Sequence, residues 1–271
     1  MNVGFVFTNY NNSSYTREAV KSLADSVYAE QYSVVIVDNN SMPEDVEALI
    51  GIKRDYPSIE VIYNQQNLGY FKGLNVGIEQ LRRGKPALDF MVIGNNDLVF
   101  PQDFLKQLEN CRSNLHSYAV VSPDLVTLDG VHQNPHVRHR ISAFREFVWD
   151  LYYSNFALAR LIQWAASLTR AISERKDYTS YQQAGVIYQG YGACYILTPV
   201  FFENFETLWA PTFLMGEEYF LWKQLTDKGQ QIFYEPGIVV QHHDHASTAK
   251  IPGRELWEIY RESHLIYKKH R

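Results

Sequence analysis

The chain has 271 residues, 46% hydrophobic and 20% charged, enough apolar material for one large α/β domain and ordinary for a globular protein. Its formal net charge of −5 argues against a nucleic-acid partner. Its two cysteines form no metal-spacing motif, and the chain shows neither a basic leader before an apolar run nor an uncharged stretch of about 20 residues, so a reducing, cytoplasmic location is expected.

Val3–Thr8 is a short apolar run closed by Asn9-Tyr10-Asn11-Asn12, and Ser13 or Ser14 is placed to cap a helix running to about Leu23. Val34–Val37 is a second strand, ending at Asp38-Asn39-Asn40-Ser41. Val61–Tyr63 is a third, followed by a helix from about Gly69 to Arg82. Phe90–Gly94 is a fourth, ending at Asn95-Asn96-Asp97, after which Pro101 suits the first turn of another helix. Apolar strands separated by helices predict a mostly parallel sheet covered on both faces. Ligands of such sheets bind beyond the carboxyl ends of the strands. Here Thr8/Asn9/Tyr10, Asp38/Asn39 and Asn95/Asn96/Asp97 make three polar ends, which predicts one site.

Residues 132–183 break this rhythm. A loop rich in His and Arg leads into a helical pattern in which Phe144, Phe147, Leu151, Leu158, Leu161 and Leu168 recur at three- and four-residue spacing. Arg138, Arg140, Arg145, Arg160, Arg170, Arg175 and Lys176 make it mildly basic, and it reads as a helical insertion beside the sheet. The last part returns to α/β pieces: a strand at Ala193–Thr198, a helix from Glu217 to about Lys228, strands at Ile232–Tyr234 and Ile238–Gln241, and a helix from Gly253 to the end. With no repeat and no low-complexity linker, a single domain over 1–271 is expected.

Four groups of residues carry candidate chemistry. Asp97, just past a buried strand, suits a hard divalent cation, and equally a turn or helix cap. Asp38 follows its strand in the same way, fit for a nucleobase or ribose or for a turn. Glu217 and Glu218 open a helix, where the helix dipole favours carboxylates as caps and also keeps a general base ionised. Gln241-His242-His243-Asp244-His245 offers imidazoles to a metal or a phosphate, although two of the three histidines equally suit a solvated loop. The 19 tyrosines suit a sugar-binding cleft, since a ring stacks on a sugar face while its hydroxyl donates, and suit a core equally well.

The blocks VGFVFTNYNN, VVIVDNNS, NQQNLGYFKGLNVGI, FMVIGNNDLVF, YGACYILTPVFF, FLMGEEYFLWKQLTDKG and VVQHHDHAS, in this order, resemble the family-2 glycosyltransferases, especially the bacterial rhamnosyltransferase-like branch. The resemblance covers nearly all of the chain apart from residues 132–183. It implies a GT-A fold and an inverting, metal-dependent hexosyltransferase. Residues 1–125 would form the nucleotide-sugar half, and 184–271 the acceptor half with a C-terminal helix. It places Thr8, Asn9, Tyr10, Asp38, Asn67, Lys72, Asn75, Asn95 and Asn96 at the nucleotide sugar. Asn95-Asn96-Asp97 matches the Asp-x-Asp metal motif with Asp97 as the retained ligand of Mg2+ or Mn2+. Glu218 matches the base, with Glu217 beside it, and His242 matches the histidine that assists the metal or diphosphate, with His243 and His245 as rivals. Phe220 and Gln224 depart from the branch, which often has Asp and Arg there.

The implied donor is a dTDP- or UDP-sugar, with rhamnose as one candidate sugar. The implied acceptor is a glycan or lipid-linked glycan of cell-surface polysaccharide or lipopolysaccharide synthesis. The basic insertion and the C-terminal Tyr260, Arg261, Lys268, Lys269 and Arg271 suit contact with an anionic lipid-linked acceptor or the inner membrane face, or a solvated helix face. Two other classes compete. A sugar-1-phosphate nucleotidyltransferase needs a Gly-rich basic loop after the first strand, where this chain has Thr8-Asn9-Tyr10-Asn11-Asn12. A non-catalytic nucleotide-sugar- or glycan-binding protein predicts binding without turnover.

Overall fold

The structure, a computed structural model, describes residues 1–26, 32–83, 87–168, 180–244 and 253–271. Four apolar strands make the first half: β1 (Val3–Asn9), β2 (Tyr32–Asp38), β3 (Glu60–Tyr63) and β4 (Phe90–Asn95). Helices α1 (Ser13–Ala24), α2 (Pro43–Asp55) and α3 (Tyr70–Arg82) connect them. These strands lie parallel in the order β3-β2-β1-β4, as the apolar runs and intervening helices predict.

Beyond β4 the sheet becomes mixed. The two-residue β5 (Leu98–Val99), α4 (Phe104–Leu115) and β6 (Val120–Thr127) lead into the insertion, helices α5 (Ala143–Tyr152) and α6 (Phe156–Leu168). Then come β7 (Gly185–Ile187), β8 (Cys194–Leu197), α7 (Pro199–Asn204), α8 (Glu217–Thr226), β9 (Ile232–His242) and α9 (Gly253–Tyr267). The sheet continues β4-β8-β6-β9-β5, with β7 also on β9. β8 runs antiparallel to both β4 and β6, while β6 and β9 are parallel. The expectation of a mostly parallel sheet therefore holds for the first half, and the second half adds antiparallel pairings.

Apolar clusters fill both faces. Phe5, Phe7, Phe100 and Phe104 stack on one side, and Val6, Leu74, Ile78, Phe201 and Phe220 pack on the other.

Several features differ from the sequence reading, which named no element at β5, β6, β7 or α7 and set Pro101 in the first turn of a helix that in fact starts at Phe104, after the N-cap Asp103. α2 was not anticipated, although Pro43 at its first turn, Glu44 and Asp45 at its start and Lys53 and Arg54 at its end are ordinary helix signals. The two expected strands at Ile232–Tyr234 and Ile238–Gln241 are one strand, β9, because the register slips opposite Pro123/Asp124 and absorbs Pro236-Gly237. The insertion is two helices rather than one, broken where Asn155 Oδ1 accepts from the Ala157 N–H at 2.7 Å. Arg170, Arg175 and Lys176 lie outside the described residues.

Candidate active site

The polar strand ends meet because the strands are in register. Thr8 stands opposite Asn95, Asn9 opposite Asp38, and Asp38 opposite Tyr63. All four non-glycine residues of positive φ among the described residues lie at this rim: Asn11, Asn40, Met215 and Asp244. Such conformations persist only where surrounding structure enforces them, and they concentrate at functional sites.

Much of the amide chemistry is internal. Asn9, fully buried, accepts from Thr16 Oγ1 at 2.9 Å and from Asn96 Nδ2 at 3.0 Å. Its own Nδ2 donates to Asp38 Oδ1 at 2.9 Å and to Asp45 Oδ2 at 2.7 Å. Asn96 Nδ2 also donates to Asn12 Oδ1 at 2.8 Å. Asp38 is buried and accepts from the Ser41 N–H at 3.0 Å and the Ser41 hydroxyl at 2.5 Å, which shapes the turn after β2. Asn67 Oδ1 accepts from the Gly69 N–H at 2.9 Å. Asn75 uses both amide atoms on the Leu208 backbone, each at 2.9 Å, and so ties α3 to the second half of the chain. Asn9, Asn96 and Asn75 thus build the floor and walls of the cleft, while Tyr10 and Lys72 are exposed and Thr8 and Asn95 partly so at the rim.

Asp97 is different. α4 is preceded by Asp103, so Asp97 does not cap it. It is buried, and its Oδ1 has no hydrogen-bond partner. At 3.3 Å from that oxygen stands Nε2 of His242, also buried and also without one. Leu98 of β5 pairs with His242 of β9, which brings the two residues together. His242 Nδ1 lies 2.7 Å from Gln133 Oε1. An amide oxygen only accepts, so Nδ1 carries a proton, and in the neutral ring Nε2 presents a lone pair toward Asp97. Two buried acceptors facing each other repel unless a proton or a metal cation lies between them. A carboxylate oxygen and an imidazole nitrogen suit Mg2+ or Mn2+, so these residues fit the expected metal. No group of three metal-ligating side chains occurs among the described residues.

The rivals separate. His243 Nε2 pairs with Glu18 Oε2 at 3.0 Å and its ring packs edge-on to Tyr15, away from Asp97. His245 lies outside the described residues. A cavity of about 290 Å3 lies behind His242, with Gln133, Tyr191, His132, Asp129 and Asp244 in its lining. That lining carries no lysine or arginine, so the cavity suits a diphosphate poorly. Because Gln133 sets the tautomer of His242, Gln133→Leu is expected to weaken Mn2+ binding by about 10–100-fold in calorimetry.

The second carboxylate pair opens α8, after consecutive left-handed residues, Met215 at φ 72° and Gly216 at φ 86°. Glu217 is buried and its Oε1 has no hydrogen-bond partner. Burial, then the charge of Glu218, pushes its carboxyl well above the usual range. Burial raises Glu218 as well, but Glu218 is partly exposed and receives hydrogen bonds from its own N–H and that of Gly192. Two adjacent carboxylates do not ionise together easily. Glu217 therefore holds the proton and Glu218 carries the charge. A Cβ on Gly192 would lie 2.6 Å from Glu218 Oε1, so only glycine allows this approach. The Tyr70 hydroxyl donates to Gly192 O at 2.7 Å. Burial, followed by Cys194, Glu217, Tyr195 and Asp97, pushes the Tyr70 phenol well above its usual value. The Asn95 N–H donates to Ala193 O at 2.9 Å, so the Gly192-Ala193 segment that abuts Glu218 also borders the strand end that carries Asp97. On α9, burial first, then the charges of Glu218 and Glu217, raises the Tyr260 phenol.

Residues 5–168 match the model of glycosyl transferase family 2. The chain belongs to this family. Its fold is similar to GalNAc-T7 bound to UDP, GalNAc and Mn2+, at 12% identity and TM-score 0.57 over 89% of this chain and 44% of that one. It is similar to the mannosyltransferase PcManGT from Pyrobaculum calidifontis in complex with GDP-Man and Mn2+, at 14% identity and TM-score 0.58 over 98% and 62%. It is also similar to TarS from S. aureus, at 14% identity and TM-score 0.52 over 89% and 60%. The chain thus spans less than two thirds of each of these structures, and the likeness shows the GT-A glycosyltransferase fold. No protein with a curated description matches the chain.

Tyr70, Gly192 and Gln133 were not singled out from sequence. Tyr70 lies inside the block NQQNLGYFKGLNVGI and Gly192 inside YGACYILTPVFF, so position alone held a clue. Gln133 sits in the loop assigned to the insertion, and nothing local marks it as the partner of His242.

Proposed function

We propose that this chain is an inverting, metal-dependent transferase that moves a sugar from a nucleoside-diphosphate donor, a dTDP- or UDP-sugar, to a hydroxyl of a glycan or lipid-linked glycan in bacterial surface-polysaccharide synthesis, with rhamnose as one candidate sugar. The pair of buried, unpartnered acceptors at Asp97 and His242, in one cleft with Glu218, carries this reading. The nucleotides named for the similar structures, UDP and GDP-Man, support the donor class.

In this reading Asp97 and His242 would hold the divalent cation, which offsets the charge of the departing diphosphate when bound. Tyr10, exposed beyond β1, offers a face to the nucleobase, and Thr8 and Asn95 offer polar atoms at the rim. Glu218 takes the proton of the acceptor hydroxyl as that oxygen forms its bond to the anomeric carbon. The bond from that carbon to the phosphate oxygen breaks, and its electron pair leaves with the nucleoside diphosphate. A single displacement inverts the anomeric centre. Glu217, protonated, keeps a second negative charge away from the reacting oxygen.

Among the described residues no helix is long and apolar enough to cross a membrane. Work at the cytoplasmic membrane face would therefore be peripheral for the described part.

The test is incubation with UDP-, dTDP- and GDP-sugars, with and without Mn2+ or Mg2+, reading release of free nucleoside diphosphate. Metal-dependent release with one nucleotide class is expected. Binding of nucleotide sugars with no release from any donor, candidate acceptors included, would replace the transferase by a non-catalytic binding protein.

A further inference from the structure

The helical insertion packs Trp149 and Ala159 inward, yet it leaves a second set of large apolar side chains outside the core. At about 100° per residue, Phe144, Phe147 and Leu151 share one arc of α5 while Glu146 and Asp150 share the opposite one. The charged arc is the one turned toward the protein. Glu146 Oε1 accepts from the Tyr267 hydroxyl at 2.9 Å, and Asp150 pairs with His264 at 2.8 Å, Arg271 at 2.6 Å and Lys268 at 3.1 Å. The apolar arc faces solvent: Phe144 is 77% exposed, Phe147 56% and Leu151 38%. α6 has no acidic residue and turns Ala159 inward, but it too exposes large apolar side chains, Leu161 at 57% and Trp164 at 61%. An exposed apolar patch of this size marks an interaction surface.

The charge around the patch selects its partner. Both α5 acids are satisfied by α9, so the acidic side chains of the hairpin are already neutralised on the inner side. Arg145 and Arg160 flank the two apolar arcs, are exposed, and are in no ion pair among the described residues. Exposed Phe, Leu and Trp fringed by Arg is the composition of an interfacial helix on an anionic bilayer. The same pairing that hides the acids also holds Lys268 and Arg271 against Asp150, so these two are not the lipid-facing basic residues. The hairpin is tied to α9: Arg261 Nε donates to Tyr153 O at 3.1 Å, and burial first, then the charges of Glu218 and Glu217, raises the phenol of Tyr260, one residue earlier.

We infer that the α5–α6 hairpin is a membrane-docking element. Its Phe144, Phe147, Leu151, Leu161 and Trp164 enter the headgroup boundary of an anionic membrane, and Arg145 and Arg160 bind lipid phosphates. This deepens the proposed function by setting the cleft against a lipid-borne acceptor. It rests on that reading only for its purpose, since docking does not require turnover.

Flotation of the whole protein with phosphatidylcholine vesicles holding roughly 30% phosphatidylglycerol, against pure phosphatidylcholine vesicles, tests it. Binding to the anionic vesicles is expected. Phe144→Ser/Phe147→Ser/Trp164→Ser is expected to weaken binding at least about tenfold with the melting temperature unchanged, because these side chains are exposed. Arg145→Glu/Arg160→Glu is expected to abolish the preference for anionic lipid. Wild-type protein that stays unbound, or a triple variant that still floats, overturns the inference. So does a dimer in light scattering that the triple variant dissolves while vesicles are ignored, because a second copy would then cover the face. Nucleoside-diphosphate release in detergent-free buffer is read in parallel, so loss of docking and failure of the transferase reading remain separate results.

Discussion

Glu218→Gln is expected to lower kcat by about 10²–10⁴-fold, the usual contribution of a positioned general base, with nucleoside-diphosphate affinity unchanged. The isosteric amide keeps the side chain against Gly192 but accepts no proton. The pH profile adds a second reading. The wild-type carboxyl is raised by burial, and the base works only when ionised. The rate should therefore fall as pH drops through a value above the ordinary glutamate range, and Glu218→Gln should flatten that acid limb. If Glu217 were the base, Glu217→Gln would abolish turnover. We expect Glu217→Gln to keep most of it, because the native side chain is already protonated near neutral pH. The same raised carboxyl affects stability. Its contribution to folding is present below the unfolded-state value and is lost as pH rises through the raised one. Glu217→Gln should therefore melt above the wild type on the alkaline side.

Asp97→Ala is expected to reduce metal-stimulated nucleoside-diphosphate release by at least about 10³-fold, corresponding to roughly 4 kcal/mol of lost charge stabilisation. A structural role predicts a different outcome. In the metal-free protein Asp97 Oδ1 is buried opposite His242 Nε2 with no donor to either, so its removal should leave the melting temperature level or raise it. Mn2+ at 100 times its dissociation constant should stabilise the wild type by about 2.7 kcal/mol and leave Asp97→Ala unmoved. A variant that loses stability without metal, and still responds to Mn2+, would show that Asp97 is a structural residue and that the cation binds elsewhere.

The parallel half of the fold was legible because its signal is local. Val3–Thr8, Val34–Val37 and Phe90–Gly94 are apolar runs stopped by polar clusters, and the stops lie in register. The positions of Asp97 and Glu217-Glu218 at the ends of elements were legible for the same reason. The second half was harder to read. Pro123 within β6 disguises a strand that lies inside the sheet, and the slip opposite Pro236-Gly237 makes one strand look like two. The amide roles were least legible. Asn9, Asn75 and Asn96 read as nucleotide contacts from their blocks, yet their polar atoms are held by partners as distant as Leu208, which no local pattern reveals.

The pairing of β5 with β9 has a consequence for biosynthesis. Asp97 and His242 are separated by more than half of the chain, and only two residues of β5 join them. On the ribosome, where folding follows emergence, the nucleotide half can form its parallel strands and bury Asn9, Asn12 and Asn96 well before β9 exists. Asp97 then has no imidazole opposite it. Cation affinity should therefore appear abruptly, only once β9 has joined the edge of the sheet. In the proposed reading, a nascent chain would be shielded from premature capture of metal and donor until β9 had emerged and paired.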